Sequence, residues 1–292
     1  DLAAARELIA PVAVDPTGAL LPAVAESVGL PAGLPVVSAP YDLVASATGA
    51  GVERDGEGLL IVGTTLACEV LHEEVTLTGE RAGLTLATGT GTAAFRAMPA
   101  MVGAATIDWV LGIVGHTVHD LPALLAEPPS TAVRALPFLA HAGERAPFRD
   151  PRARGRFDGI TLTTTAADLV RAVVEALAFS ARACFEAAGL DGRLRACGGG
   201  SRGPLTQVFS DALDTPIDRC TDPEVGARGA AIHAARAVGA EPPPPSPTDL
   251  VSPRRPHATR YAEAFATYLA DVDAARAQWA GAAVPAPTGK NS

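Results

Sequence analysis

The sequence predicts an α/β protein. Short apolar runs alternate with longer segments of helical spacing, most runs end in glycine-rich turns, and one long segment carries both the start and the stop signal of a helix. In chain order, GLLIVGTTLACEVLHEEVTLTG (58–79) reads as strands: a short buried run, a turn with Gly and Thr, then alternation. LTLAT (84–88) is a further strand, and MVGAATIDWVLGIV (101–114) has helical spacing. TAADLVRAVVEALAFSARACFEAAG (165–189) is the clearest helix. Thr165 and Asp168 have capping-box spacing, Leu169, Val173, Ala176, Leu177 and Ser180 share a face, and Gly189 marks the stop. LRAC (194–197) is a short strand running into three glycines, and Pro204 suits the first turn of the helix that follows. TPID (215–218) is another short strand, and GARGAAIHAARAVG (226–239) is a helix of small residues able to pack closely. A central mixed sheet is expected to hold 58–63, 194–197 and 215–219, flanked by the helices 165–188 and 226–238. EPPPPSP (241–247) is a stiff extended linker, RYAEAFATYLADVDAARAQWA a last amphipathic helix, and PAPTGKNS a disordered tail.

Composition narrows the function classes. With 48% hydrophobic and 19% charged residues, the 292-residue chain can bury a core and suits one large or two modest domains. A net charge of -9 and a pI of about 5.1 argue against a nucleic-acid surface, and 4% aromatics argues against base-stacking platforms. No apolar run reaches the roughly 18 residues of a membrane span. DLAAARELIAP lacks the basic flank and apolar core of a signal peptide. The chain begins without Met, so its first residue need not be a natural start. Cys68, Cys184, Cys197 and Cys220 show no CxxC pairing and read as reduced, mostly buried thiols of a cytoplasmic protein rather than metal ligands.

Four features bear on chemistry. GGGSRG, between a strand and a helix, leaves backbone amides open at a helix N-terminus and lets a ligand approach closely; taken alone, it serves a nucleotide or a tight turn equally. Neither GxGxxG nor a P-loop occurs. GTT (63–65) can offer amides and hydroxyls to phosphate oxygens, or be a plain hairpin turn. Asp42, the lone acid of APYDLVASATGAG (39–51), suits either a proton acceptor or a helix cap. His116 and His119 in HTVH have no third ligand nearby and read as ordinary helix or loop residues.

Taken in order, APYDLVASATGAG, IVGTT, FLAHAGERAPFRDPRARGRFDGITL, ACGGGSRGPLTQVFSDAL and PEVGARGAAIHAARAVG resemble the FGGY family of carbohydrate kinases. The resemblance runs from about residue 10 to about residue 280. It implies an actin-like ATPase (ribonuclease H-like) fold. It also implies transfer of the terminal phosphoryl of ATP, with Mg²⁺, to a hydroxyl of a sugar or polyol. On the matching positions it makes Asp42 the catalytic base, Gly63, Thr64 and Thr65 a phosphate loop, and Gly198, Gly199, Gly200 and Ser201 the adenosine loop. VGAATIDW (102–109) becomes the helix whose start borders the nucleotide. No protein metal ligand is assigned. An orienting carboxylate is what phosphoryl transfer to a hydroxyl requires, and apolar neighbours exclude competing water.

There are departures. Gly203 stands where Ser or Asn is common, an aromatic after Pro-Leu is absent, and the family's DxGTxxxR hairpin does not occur in the 292 residues. The resemblance therefore implies two parts: residues 1–50, a remnant of the N-terminal sugar-binding domain carrying the base, and 51–292, a C-terminal nucleotide-binding domain with the linker 241–247 and the terminal helix. The N-terminal domain would be missing through truncation, gene splitting or incomplete sequence, and the partner expected is a separate N-terminal kinase domain or a homodimer. Alone, the chain is expected to bind adenine nucleotide weakly and not to turn over. The alternative is a non-catalytic nucleotide-binding regulatory module or assembly partner. YDLVAS followed by IVGTTLACEV looks closer to the pentulose (xylulose) kinases than to glycerol kinases.

Overall fold

The structure, a computed structural model, describes residues 18–75, 81–89, 91–126 and 133–281. The tail 285–292 and part of the run 58–79 lie outside the described residues. A small hairpin, β1 (Gly18–Ala19) and β2 (Pro35–Val36), brackets helix α1 (Pro22–Val28), and α2 (Asp42–Ala50) follows. Next come β3 (Gly58–Val62), β4 (Leu66–His72), β5 (Leu84–Ala87), β6 (Ala94–Pro99), α3 (Ala104–Ile113) and α4 (Leu121–Leu124). The second half runs β7 (Arg134–Leu136), β8 (Arg156–Asp158), α5 (Ala166–Ala188), β9 (Leu194–Cys197), α6 (Leu205–Leu213), β10 (Ile217–Cys220), α7 (Val225–Ala237), β11 (Thr248–Val251) and α8 (Ala258–Ala280).

Seven strands form one mixed sheet in the order β11-β10-β9-β3-β4-β6-β5. β3, β9 and β10 run parallel, while β4 and β6 alternate in direction beside β3. The parallel strands need crossovers, which α5 and α6 supply. Side chains alternate across the sheet. Leu60, Val62, Cys68 and Val70 meet α5 on one face, and Leu59, Leu71, Phe95 and Cys197 meet α2 on the other.

The capping box forms as the sequence predicts. The Thr165 hydroxyl accepts from the Asp168 amide, the Asp168 carboxylate accepts from the Thr165 amide, and Gly189 ends α5 at φ 83°. α7 packs closely on α2, and glycine makes this possible. A Cβ on Gly229 would lie 1.7 Å from the Ala45 carbonyl oxygen, and one on Gly49 would lie 1.9 Å from that of Val225.

The structure adjusts parts of the sequence reading. β10 begins at Ile217 because Pro216 has no N–H for the ladder, and the Thr215 amide closes α6 on Ser210 instead. Residues 101–103 stay outside α3, since Val102 accepts from the Leu66 amide and Gly103 is extended. The proline-rich stretch is extended but strapped down: the Ser246 amide donates to Gly49 and Arg228 donates to Pro244. It delivers β11, an antiparallel edge strand on β10 that no sequence feature singled out.

Candidate functional site: two interlocked glycine loops at one sheet edge

β3 and β9 are hydrogen-bonded parallel neighbours, with Ile61 opposite Cys197, so both chains leave the sheet at the same edge. β3 leaves into Gly63, Thr64 and Thr65; β9 leaves into Gly198, Gly199, Gly200 and Ser201. The loops touch through absent side chains. A Cβ on Gly198, which sits at φ +93°, would lie 2.6 Å from the Val62 carbonyl oxygen. One on Gly200 would lie 2.5 Å from Val62 Cγ1, whereas Gly199 faces open space. Thr64 and Thr65 are exposed.

The start of α3 completes this edge. The Ala104 amide donates to the Gly63 carbonyl (2.9 Å) and the Ala105 amide to that of Thr64 (3.3 Å). A Cβ on Gly103 would lie 2.5 Å from Thr65 backbone carbon. The first turn of α3 thus holds the GTT turn by the carbonyls of Gly63 and Thr64.

The segment leading into α3 is itself held by GERAP. Glu144 is buried, and its Oε1 accepts from the amides of Met101 (2.7 Å), Arg145 (2.8 Å) and Ala146 (3.4 Å). Arg145 Nε donates to the Pro99 carbonyl at 2.6 Å. Burial raises the proton affinity of Glu144 above the usual glutamate range, although the three amides pull the other way. The sequence shows this stretch only as a charged run. Its anchoring role depends on Met101, 43 positions away.

Ser201 stands apart from the other loop residues. It is buried, its hydroxyl donates to the Gly198 carbonyl at 2.7 Å, and its own carbonyl accepts from Thr206 Oγ1. Its side chain is committed to the loop's own backbone.

Asp42 is the first residue of α2, exposed, with Oδ1 accepting from the Leu43 amide at 2.8 Å. α2 is fixed through Gly49 and Gly229, so the backbone carrying Asp42 is set by its contact with α7. Asp42's charge acts on Glu69 of β4, the strand that leaves the GTT turn.

The four cysteines are free and buried, and burial pushes the Cys197 thiol up to about 12, which makes it unreactive. His116 lies 3.4 Å from Asp120. Among the described residues, no group of three or more His, Cys, Asp or Glu comes together to hold a metal ion. None of the described helices is long and apolar enough to cross a membrane.

An exposed Gly-Thr-Thr turn beside a loop of bare glycine backbone can accommodate phosphate oxygens. Comparison with known proteins agrees. The FGGY family of carbohydrate kinases, C-terminal domain, matches residues 90–238, about half of the chain. The erythritol kinase of Brucella abortus is 30% identical over 238 residues, covering 75% of this chain and 46% of the relative. A glycerol kinase of Alkalilimnicola ehrlichii is 32% identical over 277 residues, covering 85% and 54%. The crystal structure of a protein described as a xyloylose kinase from Brucella ovis superposes with a TM-score of 0.78 at 27% identity, covering 89% of this chain and 56% of that one. The chain spans about half the length of the curated relatives it matches. Its sheet, crossovers and loops are those of the actin-like ATPase fold, and the chain belongs to the FGGY family of carbohydrate kinases.

Proposed function

We propose that this chain is the nucleotide-binding half of an ATP-dependent kinase that phosphorylates a hydroxyl of a sugar or polyol. The observation that carries the reading is the interlock at Val62. Two loops from adjacent parallel strands meet through glycines where β3 and β9 end, and Thr64 and Thr65 are exposed beside them. In this reading the Gly63–Thr65 turn holds phosphate oxygens, and the Gly198–Gly200 backbone lies along the adenosine. Asp42 orients the attacking hydroxyl and accepts its proton. ATP supplies the phosphoryl group. The described residues offer Mg²⁺ no cage of their own, so the ion would be held mainly by phosphates and water, as is usual for this cation.

Two features fit a site that is completed by more protein. The chain covers half of its relatives. The surface around α1 also exposes Leu21, Val24, Val28, Leu30 and Tyr41, a run of apolar side chains. We infer that an N-terminal kinase half covers this surface and brings the sugar pocket. The relatives are named as erythritol, glycerol and xyloylose kinases, and a sugar or polyol is the substrate class that fits them.

The test is a coupled assay of ATP consumption across pentuloses, polyols and glycerol, run with the chain alone and with an N-terminal kinase half supplied. Removing one stabilising group from a phosphoryl-transfer site typically costs roughly 10²–10³ in rate, so the chain alone should be silent. Turnover only in the mixture, lost in Asp42→Ala, is the expected result. Sugar-dependent turnover by the chain alone contradicts the division of labour. Silence with a folded partner favours a regulatory module.

A further inference from the structure

Glu69 lies in the middle of β4, between Leu59 of β3 and Ala97 of β6. It is 0% exposed, and neither carboxylate oxygen has a hydrogen-bond partner among the described residues. Strand alternation sends it, with Leu71, to the face covered by α2, among Val44, Ala47, Leu59, Phe95 and Cys197. Other buried acids are supplied with donors: Glu144 by three amides, Glu175 by Arg260 and Tyr261, Asp211 by Arg254. Such a setting strongly disfavours the ionised form.

The titratable groups facing this layer are few. α2 contributes Asp42; β3 and β6 contribute none on this face, since Arg96 points to the other side and donates to Ala82 and Leu84. β9 contributes Arg195 and Cys197, β10 contributes Asp218 and Cys220, and α7 contributes Arg228, His233 and Arg236. Arg195 pairs with Glu57, Arg228 with Asp222 and Arg236 with Glu53. The charge that acts on Glu69 is that of Asp42, of the same sign.

We propose that Glu69 is a proton-holding positioning residue: as a neutral acid it lets α2 lie on the sheet with Asp42 at its start, and its ionisation pushes α2 and Asp42 off. The catalytic meaning rests on reading Asp42 as the base, but the coupling itself does not. In the working state Glu69 holds its proton; loss of that proton to solvent sets a Glu69 carboxylate against the Asp42 charge across one helix–sheet contact. The site then fails on the alkaline side.

Turnover is not needed to test this. Burial first, then Asp42, raises the folded-state proton affinity of Glu69 well above the ordinary glutamate range. The stability tied to that proton is therefore complete below the unfolded-state value and is lost as pH rises through the folded-state value. Denaturant unfolding of the 292-residue chain should be followed across pH for wild type, Glu69→Gln, Asp42→Asn and the double variant. From about pH 5 upward, the folding equilibrium constant of Glu69→Gln should gain on wild type by roughly tenfold per pH unit, the slope of one proton. Asp42→Asn should end the wild-type slope at lower pH and should have no such effect in the Glu69→Gln background. Parallel pH curves for wild type and Glu69→Gln overturn the proposal, as does an Asp42→Asn effect that is identical in both backgrounds. Should Glu69→Gln fail to fold, Glu69→Leu replaces it. In addition, the infrared carbonyl stretch of a protonated carboxylic acid must be present in wild type at neutral pH and weaker in that variant. Its absence from wild type overturns the proposal. Failure of the kinase reading, by contrast, would leave these pH curves in place.

Discussion

On the α5 face of the sheet the interior is filled by large side chains, whereas on the α2 face it is closed by glycine. Phe179 meets Tyr261, Phe265 and Tyr268 between α5 and α8, with ring centroids 5.6 to 6.1 Å apart, and Phe138, Phe148 and Trp279 form a second aromatic group nearby. On the other face α2 and α7 approach until backbone meets backbone at Gly49 and Gly229, and the layer beneath holds Glu69 and two buried thiols. Large rings contribute burial and tolerate small shifts. Glycine contacts contribute little burial and fix distance. The α5 face therefore supplies stability, and the α2 face sets where Asp42 stands. A buried acid without donors is tolerable only on a face that is not the main source of stability.

The largest expected effect lies on the aromatic face. Phe179→Ala should cost about 4 kcal/mol of folding stability, from lost burial and the cavity left behind. It should leave nucleotide affinity unchanged under conditions where both proteins are folded. Denaturant unfolding and calorimetric titration with ATP measure the two quantities. A parallel loss of affinity would show that the faces are not separable.

Gly229→Ala should cost less, about 2 kcal/mol of overpacking strain, but the loss should be localised. The added methyl meets the Ala45 carbonyl, which cannot yield without moving α2. Hydrogen exchange of the α2 amides should quicken while that of the α5 amides stays slow. Loss of protection in both helices together would contradict the comparison, and an unchanged α2 would show that the glycine contact does not set its position.

What the sequence revealed and what it hid follow the same division. α5 was legible because its signals are local: Thr165 and Asp168 are three positions apart, and Gly189 ends the apolar stripe. The two loops were legible as turns from their glycine and threonine, but each could be a plain turn, and only the order of the motifs along the chain made them candidates for a nucleotide. Local signals also marked α7 as small-residued, but not that Gly229 meets Ala45. Glu144 could not be read as an anchor, because its partner Met101 lies 43 residues earlier. Alternation places Glu69 on one side of β4, yet only the arrival of α2 makes it buried and unpaired. β11 escaped notice because TDLV is a short, half-polar edge strand, made a strand by β10 rather than by its own pattern.

The central claim is that Gly63–Thr65 and Gly198–Gly200 form one nucleotide site, and amide chemical-shift mapping of the isotope-labelled chain during titration with ATP tests it most directly. The account predicts saturable shifts concentrated in these two loops and at the first turn of α3, weakened in Gly198→Ala, whose new methyl would meet the Val62 carbonyl. A different cavity, of about 320 Å³, lies between α5 and α8, lined by Arg134, Glu175, Arg260 and Tyr268. Shifts gathered there, or in only one of the two loops, would contradict the account.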